Sequence, residues 1–151
     1  MKMASSAPIL VAEDDKNDAF ILKRALEEAG ATCPIHFCGD GMEARSYFQG
    51  QGPYDDRKLF ALPWLVITDL KMPKMDGMDL LKWLRGHPDY KIIPIVVLSA
   101  SGQFPDIQEA YRSGANSYLV KPSGYNNLVE MMKLVLGYWR ICETPHLMQL
   151  V

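Results

Sequence analysis

Cysteine is scarce in this chain. Only Cys33, Cys38 and Cys142 occur among 151 residues. That is an odd number and too few for a disulfide framework, so a reduced, cytoplasmic setting is expected. Long apolar runs are missing too. No stretch reaches the 18 or more apolar residues that a membrane-spanning helix needs. The first eight residues hold one lysine and no apolar core, which argues against a secretory signal. Charge of one sign is not in excess: Lys plus Arg is 16 and Asp plus Glu is 18, for a formal net charge of −2. A strongly basic nucleic-acid binder is thereby excluded. Neither G-x-x-x-x-G-K nor G-x-G-x-x-G is present, so the glycine-rich phosphate cradles of nucleotide and dinucleotide binders are absent. There is no internal repeat and no low-complexity segment.

What is present is a core-forming chain, 48% hydrophobic and long enough for one domain. Short apolar runs alternate with amphipathic segments. Ile9-Leu10-Val11-Ala12 is followed by Ile21, Leu22, Ala25, Leu26 and Ala29 at helical spacing, with Lys23, Arg24, Glu27 and Glu28 opposite. Gly30 ends that helix. Ile35 to Cys38 predicts a weaker strand. Asp40 and Glu43 have capping-box spacing ahead of a short helix with Ala44, Tyr47 and Phe48. Gly50 to Asp56 reads as a polar, turn-rich loop. Leu65-Val66-Ile67-Thr68 and Ile95-Val96-Val97-Leu98 are strong strands, separated by a helix over Met78 to Arg85. A helix through Ile107, Ala110 and Tyr111, closed by Gly114, precedes a last strand at Tyr118-Leu119-Val120. The last helix runs from Tyr125 to about Ile141. Continuous rather than alternating β-branched runs mark strands covered on both faces. The pattern predicts a five-stranded parallel sheet with helices on both sides.

In such a sheet, chemistry gathers beyond the carboxyl ends of the strands. The first run ends in Glu13-Asp14-Asp15, the third in Asp69, the fourth in Ser99 and the fifth in Lys121-Pro122. Each has an ordinary reading by itself. Acids cap helices, and Asp15 and Asp18 are read that way. A lone Asp69 is a solvated loop acid, a lone Ser99 a satisfied hydroxyl, a lone Lys121 a surface cation. Their coincidence at successive strand ends is what carries meaning. Carboxylates at close quarters repel, and burial raises their pKa values. A hard divalent cation relieves this, and Mg²⁺ favours one or two carboxylates plus waters and phosphate oxygens. One carboxylate then suits nucleophilic attack on phosphorus, with a lysine and a hydroxyl to hold the phosphoryl oxygens.

Four stretches carry a family resemblance: Ile9-Leu10-Val11-Ala12-Glu13-Asp14-Asp15; Val66 to Gly77, with Asp69-Leu70-Lys71-Met72-Pro73 at its centre; Ile95-Val96-Val97-Leu98-Ser99-Ala100; and Gly114-Ala115-Asn116-Ser117-Tyr118-Leu119-Val120-Lys121-Pro122. In this order and spacing the chain resembles the receiver domains of two-component response regulators. The resemblance implies a doubly wound, flavodoxin-like (βα)5 receiver fold over residues 8–141, after a disordered 1–7 and before a tail at 142–151. It implies that Asp69 accepts a phosphoryl group from a histidine kinase. Asp14 and Asp69 would ligate Mg²⁺, with Glu13 acting through a water and the Lys71 backbone carbonyl as a further ligand. Ser99 would be the switch hydroxyl, Lys121 the phosphoryl contact and Tyr118 the coupled aromatic. Lys71 and Ser101 would lie where the family tunes dephosphorylation. A cis bond before Pro122 would aim Lys121 inward. The chain would be a signalling phosphoacceptor rather than an enzyme acting on a substrate.

The output is expected on the fourth helix, fifth strand and fifth helix, including Tyr111, Tyr118 and the outer face from Asn126 to Trp139. The last helix has two apolar stripes, one of Leu128, Met131, Met132, Val135 and Trp139, the other of Leu134, Tyr138 and Ile141. A helix buried on one side needs only one. The second is covered either by the tail or by a second copy or partner. Gly137-Tyr138-Trp139 and Gly50-Gln51-Gly52-Pro53-Tyr54 resemble a narrower group of stand-alone regulators encoded beside bacterial phytochromes and other sensor kinases. That likeness implies a phytochrome or other sensor kinase as donor and a homodimer through the C-terminal side. Two rival readings are a phosphorelay shuttle and a phosphorylation-independent interaction module. A haloacid-dehalogenase-type phosphohydrolase would need an acid two residues after the nucleophile, where Lys71 stands.

Overall fold

The computed structural model describes residues 7–145. The expected disordered N-terminus, except Ala7, and the tail beyond 145 lie outside those residues. Within them, five strands alternate with five helices: β1 (Ile9–Ala12), α1 (Lys16–Glu28), β2 (Ile35–Cys38), α2 (Gly41–Gln49), β3 (Leu65–Thr68), α3 (Gly77–Gly86), β4 (Ile95–Ser99), α4 (Phe104–Arg112), β5 (Ser117–Val120) and α5 (Tyr125–Ile141). All strand pairings are parallel, in the order β2-β1-β3-β4-β5. This is the flavodoxin-like arrangement, in which the winding direction reverses between β1 and β3.

Successive side chains of a strand point to opposite faces, so each apolar run feeds two cores. Leu10, Ala12, Val66, Ile95 and Val97 pack with Ala44, Tyr47 and Phe48 of α2, Leu80, Leu81 and Leu84 of α3, and Ala110 of α4. Ile9, Val11, Leu65, Ile67, Val96 and Leu98 pack with Leu22, Ala25 and Leu26 of α1 and Val129, Met132, Val135 and Leu136 of α5. Each fully buried aliphatic side chain stabilises the fold by about 1.5–3 kcal/mol. Helix starts are fixed locally. Asp15, Asp40 and Asp76 accept from the N–H groups of Asp18, Glu43 and Asp79.

The Gly50 to Asp56 segment departs from the loop expected. Gly52–Tyr54 forms a short 3-10 turn, and Tyr54 is buried. Its ring lies 5.1 Å from those of Tyr47 and Phe60, and its hydroxyl donates to Glu43 Oε1 at 2.5 Å. Glu43 Oε2 in turn accepts from Gly39 N–H at 2.8 Å. A buried tyrosine hydroxyl needs a partner, and the capping glutamate supplies it. The charged, glycine-flanked surroundings of Tyr54 mask that packing in the sequence.

One glycine fixes the approach of α3 to the residues that follow β3. A Cβ on Gly77 would sit 1.8 Å from the Asp69 carbonyl oxygen, and Gly77 N–H donates to Leu70 O at 2.8 Å. Gly77→Ala is therefore expected to cost about 2–4 kcal/mol, read as a lowered urea midpoint. A midpoint within 0.2 M (roughly 0.5 kcal/mol) of the native protein would contradict this close approach.

Candidate functional site

The parallel register delivers the polar strand ends to one edge. Ala12 pairs with Thr68, so Glu13 and Asp69 follow side by side at the reversal point, and Asp69 N–H donates to Ala12 O at 3.0 Å. Ser99 pairs with Val120, and Lys121 N–H donates to Ser99 O at 2.8 Å. Carboxylate oxygens of Glu13, Asp14 and Asp69 lie within 4.8 Å of one another. Glu13 is buried, Asp69 half-buried and Asp14 exposed.

Lys121 closes the site. Its Nζ lies 2.6 Å from Glu13 Oε1 and 2.8 Å from Asp69 Oδ2. Asp69 Oδ1 accepts from Leu70 N–H at 2.6 Å. Both Asp69 oxygens are thus oriented. Burial would push the Lys121 ammonium down. Hydrogen bonds from it to Asp69 and Glu13, and their charges, more than offset burial, so its pKa stands above the ordinary lysine value. Burial pushes the Glu13 carboxyl up, and Lys121 opposes that only in part. No cis peptide bond occurs among the described residues, so the expected cis bond before Pro122 is corrected to trans. Lys121 reaches the acids without it, because its backbone is pinned to Ser99 at the end of the β4–β5 ladder.

Ser99 is buried, 2% exposed, and its hydroxyl oxygen accepts from Ser101 N–H at 3.2 Å. Tyr118 is half-buried. Its hydroxyl donates to Ser101 O at 2.7 Å and its N–H to the Tyr111 hydroxyl at 3.1 Å. Ser101 Oγ donates to Asp106 Oδ2, which fastens the loop to the first turn of α4. The Lys71 side chain is exposed. The sequence reading placed Asp18 only as a helix acid, but its Oδ2 also lies 3.5 Å from Lys121 Nζ.

The donor set is all hard oxygen, three carboxylates within mutual reach, one of them with a raised pKa. That chemistry fits a small hard cation such as Mg²⁺ and not a soft metal.

This edge and this topology define a receiver, and the comparisons agree. The chain belongs to the response regulator receiver domain family, whose description matches residues 9–133. It is similar to the response regulator Rcp1 of Synechocystis sp., 31% identical over 131 residues that cover 87% of each chain. Among solved structures it is similar to a response regulator in red light signaling of R. palustris, at 31% identity and a TM-score of 0.87, covering 93% of this chain and 99% of that one. It is also similar to the phosphorylated cyanobacterial phytochrome response regulator RcpA, at 31% identity and a TM-score of 0.84, covering 94% and 100%.

The raised Glu13 pKa has a sign that can be checked. A carboxyl that holds its proton more tightly when folded contributes stability that is full at low pH. That stability is lost as pH rises through the folded value. Glu13→Gln, neutral throughout, is expected to exceed the native protein in stability at pH 8 in EDTA. It should also lack the component of stability that the native protein loses as pH rises above the ordinary glutamate range. Urea unfolding at stepped pH reads this, and a less stable variant at pH 8 would reverse the assignment.

Proposed function

We propose that this protein is a phosphorylation-controlled signalling switch: Asp69 accepts a phosphoryl group from a histidine kinase, with Mg²⁺, and the resulting state alters protein–protein contacts. The observation that carries the reading is the ammonium of Lys121 held between Glu13 and Asp69, beside a three-carboxylate cluster. In the transfer, an Asp69 carboxylate oxygen forms the new O–P bond while the donor's histidine N–P bond breaks. The imidazole nitrogen takes a proton from solvent. Lys121 neutralises charge that develops on the phosphoryl oxygens, and the Ser99 hydroxyl is the donor that turns to meet one of them. Glu13, Asp14, Asp69 and the Lys71 carbonyl are the groups we assign to the metal. Bound Mg²⁺ supplies charge neutralisation at those oxygens.

A switch from 1:99 to 99:1 needs about 5.5 kcal/mol of differential binding. Charge-assisted contacts to Ser99 and Lys121, at roughly 1.5–3 kcal/mol each, supply much of it. Withdrawal of the Ser99 hydroxyl from Ser101 N–H would free the loop on which the Tyr118 hydroxyl rests. That gives the coupled aromatic its role. We take residues 8–141 as the receiver domain.

The donor we propose is a cytoplasmic sensor kinase of phytochrome type, because similar structures are described as red-light and phytochrome regulators. The output we propose is pairing with a second copy through α5. Leu134, Tyr138 and Ile141 form an i, i+4, i+7 row and are 75%, 58% and 80% exposed. The first stripe serves the core instead, with Met132 and Val135 buried and Leu128, Met131 and Trp139 packed against it.

Intact-mass spectrometry after acetyl phosphate and Mg²⁺ tests the chemistry. One phosphate is expected on the native protein, none on Asp69→Ala, and none in EDTA. Label retained by the variant would overturn the Asp69 assignment. Leu134→Asp is expected to halve the phosphorylated mass seen by light scattering, while a mass unchanged by this substitution would refute pairing through α5.

A further inference from the structure

Lys121 has a third carboxylate partner that the metal-ligand set does not need. Asp18 Oδ2 stands 3.5 Å from Nζ on the solvent side: its side chain is 52% exposed, against 5% for Glu13 and 13% for Asp69. Asp18 is the third residue of α1, and its N–H donates to Asp15 Oδ1 at 2.9 Å. Asp15 already caps the helix. An acid in the first turn favours the helix wherever its carboxylate points, so capping leaves the contact with Lys121 unexplained. Among the described residues, Asp18 is outside the cluster of Glu13, Asp14 and Asp69.

We propose that Asp18 is a positioning residue that competes with the phosphoryl group for Lys121 and so sets how tightly the site retains that group. The inference rests on the phosphoacceptor reading of Asp69. An ammonium has three N–H donors, and three carboxylates surround this one. When Asp69 carries a phosphoryl group, a phosphoryl oxygen needs one of those donors. Asp18 draws the ammonium toward α1 and adds a negative charge against a group of roughly −2. Both effects weaken retention. At such separations near the surface, one unit charge alters an affinity by roughly threefold to tenfold.

The test uses beryllofluoride as the phosphoryl mimic at saturating Mg²⁺, titrated by fluorine NMR, with melting temperatures recorded alongside. Asp18→Asn is expected to bind it about threefold to tenfold more tightly than the native protein. Asp18→Glu, which keeps the charge, is expected to return close to native affinity. Asp15→Asn keeps the cap but removes a neighbouring charge, and is expected to leave the affinity unchanged. If Asp18→Asn shifts only the melting temperature, or Asp15→Asn tightens binding equally, Asp18 has no role through Lys121. If the native protein binds no beryllofluoride and takes no phosphate, the phosphoacceptor reading itself fails.

Discussion

The ammonium of Lys121 is the group on which the candidate site depends. Three carboxylates converge at the reversal point of the sheet, and their mutual repulsion in a half-buried place would otherwise open it. One cation placed 2.6 Å from Glu13 and 2.8 Å from Asp69 holds the arrangement together. The pair also leaves a residual tension. Burial keeps Glu13 above its ordinary pKa even with Lys121 beside it. Such a site is short of positive charge, and this is the condition under which a hard cation binds well.

The same backbone that carries Lys121 links the acids to the distant face. Lys121 N–H is tied to Ser99 O, Ser99 Oγ to Ser101 N–H, and Ser101 O to the Tyr118 hydroxyl. Hydrogen bonds of this kind contribute only about 0.5–1.5 kcal/mol each. They can therefore be exchanged for other contacts without unfolding the two cores. The cores are the rigid part: the faces of the sheet are filled by α1 and α5 on one side and by α2, α3 and α4 on the other. Flexible chemistry on a rigid frame is what a receiver requires, and the family match fits that division.

Several features were legible in the linear chain for plain physical reasons. Period 3.6 and continuous apolar runs marked all ten principal elements, and Asp40 with Glu43 marked a helix start that the structure keeps. Strand ends carrying Glu13, Asp14, Asp69, Ser99 and Lys121 pointed to one edge because parallel strands share a direction. Less visible was anything that depended on a distant partner. Tyr54 looked like a loop residue because its partner Glu43 lies across a turn, and Asp18 looked like a helix acid because Lys121 is 103 residues away. The inward reach of Lys121 was expected to require a cis bond and does not, since strand pairing alone aims it.

By itself the sequence determined the fold class, the order of strands and helices, and which side chains stand at the strand ends. Those properties follow from local periodicity and from residue chemistry. The tertiary structure decided the distances: which oxygen faces which nitrogen, which acid is buried, and which apolar stripe of α5 is left uncovered. Electrostatic strength depends on separation and on burial, and both are set only when residues far apart in the chain are packed against one another.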